Sequence, residues 1–173
     1  RSHAPACCGA NSASAGAQSL TREAAMRVVT PMRGTMPTPR LLRTVRRGRV
    51  GGVILFGENI RSGAQVRALT RALQQAARAG GHPPLLVMTD QEGGQVKRVD
   101  GPPQASAAAI GREGPAYSRR QGRLTASNLK SLGVNVDLAP VLDVGRPGGV
   151  IADTERAFGE SAPKVASTAV PFA

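Results

Sequence analysis

Aromatic side chains are nearly missing: they make up 2% of the 173 residues, with three Phe, one Tyr and no Trp. That shortage excludes the stacking platforms on which single-stranded nucleic acids are held, because each base needs a π face to lie against. Cysteine is as scarce. Cys7 and Cys8 are the only two, and adjacent residues rarely bridge because the geometry is strained, so no disulfide framework follows. His3 and His82 stand far apart, and without H-x-x-H or C-x-x-C spacing no transition-metal site is expected. No apolar run reaches the ~18 residues that span a bilayer, so no transmembrane segment is expected. Phosphate cradles are missing too, since neither G-x-x-x-x-G-K-[ST] nor G-x-G-x-x-G behind a strand occurs.

Acidic residues are outnumbered, 11 against 23 basic, for a net charge of +12. Such a balance raises the possibility of a basic nucleic-acid-associated domain, because clustered Lys and Arg neutralise phosphates. The densest cluster is Arg40, Arg43, Arg46, Arg47 and Arg49. No helix-turn-helix or zinc-finger spacing accompanies it. Of the 23 basic residues 20 are Arg, a skew that a GC-rich genome produces on solvated helix faces. No nucleic-acid partner is expected.

Residues 1–20 are rich in Ala, Ser and Gly, too poor in large apolar groups to offset the cost of ordering them, and read as a flexible lead. Within them the stretch around Cys7-Cys8 resembles the end of a lipoprotein signal without its apolar region. The compartment stays open between cytoplasm and cell envelope or exterior. Residues 21–173 read as one domain of alternating strands and helices. Strands are expected at Arg27 to Met32, Val53 to Phe56, Leu85 to Thr89 and Val134 to Leu138. Helices are expected after Pro39 (Leu41, Leu42, Val45), from Gly63 to Ala79 and from about Pro115 to Ser131. In the second of these, Val66, Leu69, Leu73 and Ala76 recur at intervals of three and four. Val99 to Glu113 reads as an unusually long loop. Alternation of this kind implies parallel strands with right-handed crossovers. Periodicity alone does not separate an open sheet from a closed barrel.

One stretch says most about function. The apolar run Leu85-Leu86-Val87-Met88 has the character of a buried parallel strand, and it stops at Asp90-Gln91-Glu92-Gly93-Gly94. The glycines permit a sharp turn. Arg98 then follows Asp90 by eight residues, close enough for the returning chain to bring an acid and a guanidinium into one pocket, a pairing suited to a polyhydroxylated ligand.

These residues resemble the signature of family 3 glycoside hydrolases in their β-N-acetylhexosaminidase branch. Val50 to Phe56, Leu132 to Val144 and Arg156-Ala157-Phe158-Gly159 fit in the same order, so the resemblance runs from about residue 22 to 162. It implies a parallel (β/α)8 barrel of the TIM type, of which 173 residues hold about the first four β/α units, since a full barrel takes about 250. Both ends of the chain read as cut. The implied activity is that of a retaining exo-β-N-acetylglucosaminidase acting on amino-sugar glycans such as peptidoglycan fragments, with no cofactor. The substrate-binding residues carried over are Asp90, Arg98 and Arg156. The family's Asp nucleophile and its acid/base His-Asp pair in Lys-His-Phe-Pro-Gly-His would lie beyond Ala173, which leaves no catalytic residue in this chain.

Two residues invite other readings. Glu92 could serve as a catalytic acid, but the resemblance points to a structural role, paired with a backbone amide or Arg98 at the Gly-Gly turn. Asp137 and Asp143, with Asp90, suggest an oxygen-ligand metal cluster. Strand-end aspartates accepting loop hydrogen bonds are the commoner arrangement, and no metal is expected. A non-catalytic carbohydrate-binding half-barrel is the remaining alternative.

Overall fold

The computed structural model describes residues 20–173; the expected N-terminal lead, apart from Leu20, lies outside the described residues. Four parallel strands form one sheet in the order β1, β2, β3, β6. They are β1 (Val29–Pro31), β2 (Gly52–Leu55), β3 (Leu86–Thr89) and β6 (Val136–Asp137). Helix α1 (Pro39–Arg46) joins the first two, α2 (Gly63–Ala79) the next two, and α3 (Ala107–Glu113) with α4 (Pro115–Ser131) precedes β6. The hairpin β4 (Gln91–Gly93) and β5 (Val96–Lys97) rises from the end of β3, and α5 (Val150–Asp153) and α6 (Ala162–Ala169) follow β6. This is the α/β, parallel-strand architecture expected, in the form of part of a TIM-type barrel.

Strand pairing is in register, with Val53 opposite Thr30 on one side and Val87 on the other. Alternation along the strands sends Val53, Leu55 and Val87 to the helix side, where they are fully buried against Val45, Val66, Leu69 and Leu73. Helix α2 begins where Ser62 accepts the Gln65 N–H. Leu86 departs from the expectation of a strand buried on both faces: it is 44% exposed, while Met88 on the same face is buried.

Two differences from the sequence reading bear on the site. The expected loop from Val99 to Glu113 contains α3, started by Ser106, whose hydroxyl accepts the Ala109 N–H. A second small core forms there from Ile110, Val165, Ala169, Phe158 and Phe172, the two rings meeting edge to face at 6.0 Å. At Gly111 any Cβ would run into the Phe158 carbonyl, so glycine is what lets the segment around residues 153–159 seat against α3. Among the described residues no helix is long and apolar enough to cross a membrane.

Candidate sugar-binding site

The site is assembled at the C-terminal ends of β3 and β6. Thr89 Oγ1 donates to the Leu55 carbonyl at 2.9 Å, which ties the ends of β2 and β3 together. Asp90 follows. The chain then turns back through Gly93 (φ 92°) and Gly94 (φ 55°), a left-handed conformation disfavoured for other residues. A Cβ at Gly93 would also strike the Ala105 carbonyl. The returning strand β5 delivers Arg98 beside Asp90, with Nη2 to Oδ2 at 3.3 Å and both side chains only partly exposed. The Arg98 Nε is buried without a partner. A buried donor left unsatisfied costs about 1–3 kcal/mol.

Strand alternation places Gln91 on the opposite side from Asp90 and Glu92. Gln91 is fully buried. Its Nε2 donates to the carbonyls of Val99 and Pro102 at 3.0 Å each, and its Oε1 accepts the N–H groups of Arg98 at 2.9 Å and Val99 at 3.1 Å. One side-chain amide thus fixes the segment that presents Arg98. The sequence reading passed over Gln91; its place between two acids on a two-residue repeat was the available signal.

Glu92 corrects the expectation attached to it. Its carboxylate is held by neither Arg98 nor a turn amide but by Arg156, through Nε to Oε2 at 2.8 Å and Nη2 to Oε1 at 2.7 Å. The cause is geometric: Arg98 is committed to Asp90, while Arg156 arrives behind Glu155, whose φ of 55° turns the backbone sharply. Its N–H is then secured on the Ile151 carbonyl. Two parallel charge-assisted bonds are the strongest form of such a contact. The hydrogen bonds it donates to Glu92 hold the Arg156 guanidinium above its ordinary range, with burial opposing.

Asp137, at the end of β6, accepts the Gln91 N–H on Oδ1 at 3.0 Å. Burial pushes its carboxyl up to about 7, and the neighbouring charges of Asp90 and Glu92 add to this while the Gln91 hydrogen bond opposes it. Asp143 is exposed and does not join Asp90 and Asp137 in a cluster; among the described residues no group of three His, Cys, Asp or Glu is placed to hold a metal ion.

The raised carboxyl has a consequence for stability. Folded Asp137 keeps a proton that the unfolded chain, with an ordinary value of 3.8, has released. Stability is therefore fully present below about pH 4 and is lost as pH rises through about 7. Asp137→Asn keeps an acceptor for Gln91 without the charge. By calorimetric melting it is expected to be more stable than wild type at about pH 8, with the gap closing towards pH 4. A gap that is constant with pH would remove Asp137 as its source.

The model of the glycosyl hydrolase family 3 N-terminal domain matches residues 26–173. The chain belongs to glycosyl hydrolase family 3. It is 38% identical over 158 residues to an uncharacterized secreted glycosyl hydrolase from Arthroderma benhamiae, an alignment covering 89% of this chain and 45% of the relative. It is 46% identical over 107 residues to a beta-hexosaminidase from Alkalilimnicola ehrlichii, covering 57% of this chain and 30% of that one. Among solved structures, a glycoside hydrolase family 3 beta-N-acetylglucosaminidase from Paenibacillus sp. str. FPU-7 superposes with a TM-score of 0.82 at 30% identity, over 88% of this chain and 30% of the other. The chain spans less than half the length of these relatives.

Proposed function

We propose that this chain is the sugar-binding part of a retaining exo-β-N-acetylglucosaminidase that acts on amino-sugar glycans such as peptidoglycan fragments. The observation that carries the reading is the partly exposed Asp90–Arg98 pair at the parallel strand ends. Barrel enzymes build their sites at that end. Asp90 accepts hydrogen bonds from sugar hydroxyls, Arg98 donates to sugar oxygens, and Arg156, while holding Glu92, presents its remaining N–H groups to the ligand. The family membership and the names of the relatives support an amino sugar as the group held.

In a retaining mechanism a carboxylate attacks the anomeric carbon to form a glycosyl-enzyme, and an acid/base first protonates the leaving oxygen and then activates water. Asp90 is engaged with Arg98, and Glu92 with both donors of Arg156, so neither is placed as that pair. The nucleophile and acid/base are assigned to residues outside the 173 described by this sequence. The complete protein is expected to hydrolyse an aryl β-N-acetylglucosaminide with the β anomer released first, as read by proton NMR, while the 173-residue chain alone shows no turnover. Release of the α anomer, or turnover by the chain alone that is abolished by Glu92→Gln, would overturn this assignment.

A further inference from the structure

The pairing between β3 and β6 continues past the end of the backbone ladder by means of a side chain. Leu138 N–H donates to the Thr89 carbonyl at 2.9 Å, the last main-chain bond between the two. One step on, the Gln91 N–H is taken by the Asp137 carboxylate at 3.0 Å. Gln91 is the residue whose amide holds the N–H groups of Arg98 and Val99, and Arg98 ends on Asp90. A continuous set of hydrogen bonds therefore runs from Asp137 to the Asp90–Arg98 pair.

We infer that Asp137 is a positioning residue for the Asp90–Arg98 pair, acting through the peptide N–H and side-chain amide of Gln91. The inference deepens the sugar-binding reading and rests on it. The charges around Asp137 favour this role over simple ion pairing. Asp90 and Glu92 each have a guanidinium, whereas Asp137 has no ion-pair partner among the described residues. From α4, Lys130 lines a cavity with Asp137 without bridging to it. Placing an unneutralised carboxyl beside two acids costs stability. What it provides in return is the acceptor that Gln91 needs.

The test compares Asp137→Ala, which removes that acceptor, with Asp137→Asn, which retains it. Both variants are made in the complete protein and read by amide hydrogen exchange and by steady-state kinetics on an aryl β-N-acetylglucosaminide. In Asp137→Ala, exchange at the Gln91, Arg98 and Val99 amides is expected to accelerate about tenfold or more relative to the amides of α2. KM is expected to rise about tenfold with kcat within about threefold, the signature of lost positioning for binding. Asp137→Asn is expected to return both readouts to within about threefold of wild type. Unchanged exchange in Asp137→Ala overturns the inference, as does faster exchange with an unchanged KM, or an asparagine variant as impaired as the alanine one. A wild-type protein that takes no amino sugar refutes the sugar reading instead, and the exchange measurement alone then decides whether Asp137 holds Arg98.

Discussion

On the proposed sugar-binding reading, Asp90→Ala and Arg98→Ala in the complete protein are each expected to lower kcat/KM on an aryl β-N-acetylglucosaminide by roughly tenfold to a thousandfold, on the ~1–4 kcal/mol that charge-assisted hydrogen bonds to a substrate contribute. The two losses have different origins. Without Asp90, Arg98 keeps its place through the Gln91 clamp on its backbone but loses the carboxylate that orients its guanidinium. Without Arg98, Asp90 remains as an uncompensated carboxylate at the strand end, and the partly exposed guanidinium beside it is gone. Because the two side chains are in contact at 3.3 Å, the double variant falls short of the sum of the single effects. Arg46→Ala, at the exposed end of α1, is expected to change kcat/KM by less than about twofold, as for a surface position. Steady-state kinetics on a series of aryl glycosides measures all four. Small, equal effects at Asp90, Arg98 and Arg46 would show that the pocket lies elsewhere.

The parts of this molecule written in local pattern were legible in the sequence, and the parts that depend on distant partners were not. Helix α2 follows from apolar residues at helical spacing closed by Gly80-Gly81, and its buried face is the expected one except that Thr70 joins it and Ala77 is the buried alanine, with Ala76 partly so. The proximity of Asp90 and Arg98 follows from eight intervening steps and two glycines. Strand β6 is shorter than expected because Asn135 intervenes: its Oδ1 accepts the Val87 N–H at 2.7 Å and its Nδ2 donates to the Leu85 carbonyl at 3.0 Å. A side chain thus occupies positions that main-chain ladder bonds would hold. Helix α3 escaped notice because Ile110 is its one large apolar residue, which leaves no periodicity to read. The partner of Glu92 is 64 residues away, and no local rule links the two.

That distant partnership carries the other large effect. Glu92 is 5% exposed at its side chain, and both of its oxygens are bonded to Arg156. Arg156→Ala strands an ionised carboxylate in a buried position, which costs about 3–5 kcal/mol when one partner of a buried pair is removed. The penalty arises from the carboxylate left behind, not from attraction alone, so variants separate the two. Glu92→Gln removes the charge that needs compensation while keeping an oxygen acceptor, and its cost is expected to be smaller. Combining Glu92→Gln with Arg156→Ala should then destabilise far less than the two single costs added together, because the residues interact directly. Arg156→Lys offers a single point charge where the fork of Arg made two bonds, and falls between wild type and Arg156→Ala. Urea unfolding midpoints at neutral pH, converted with a common slope, give these energies. If Arg156→Ala costs less than about 1 kcal/mol, the pair behaves as a solvated surface contact. The segment around residues 153–159 would then be held by α3 and the Phe158–Phe172 core without help from Glu92.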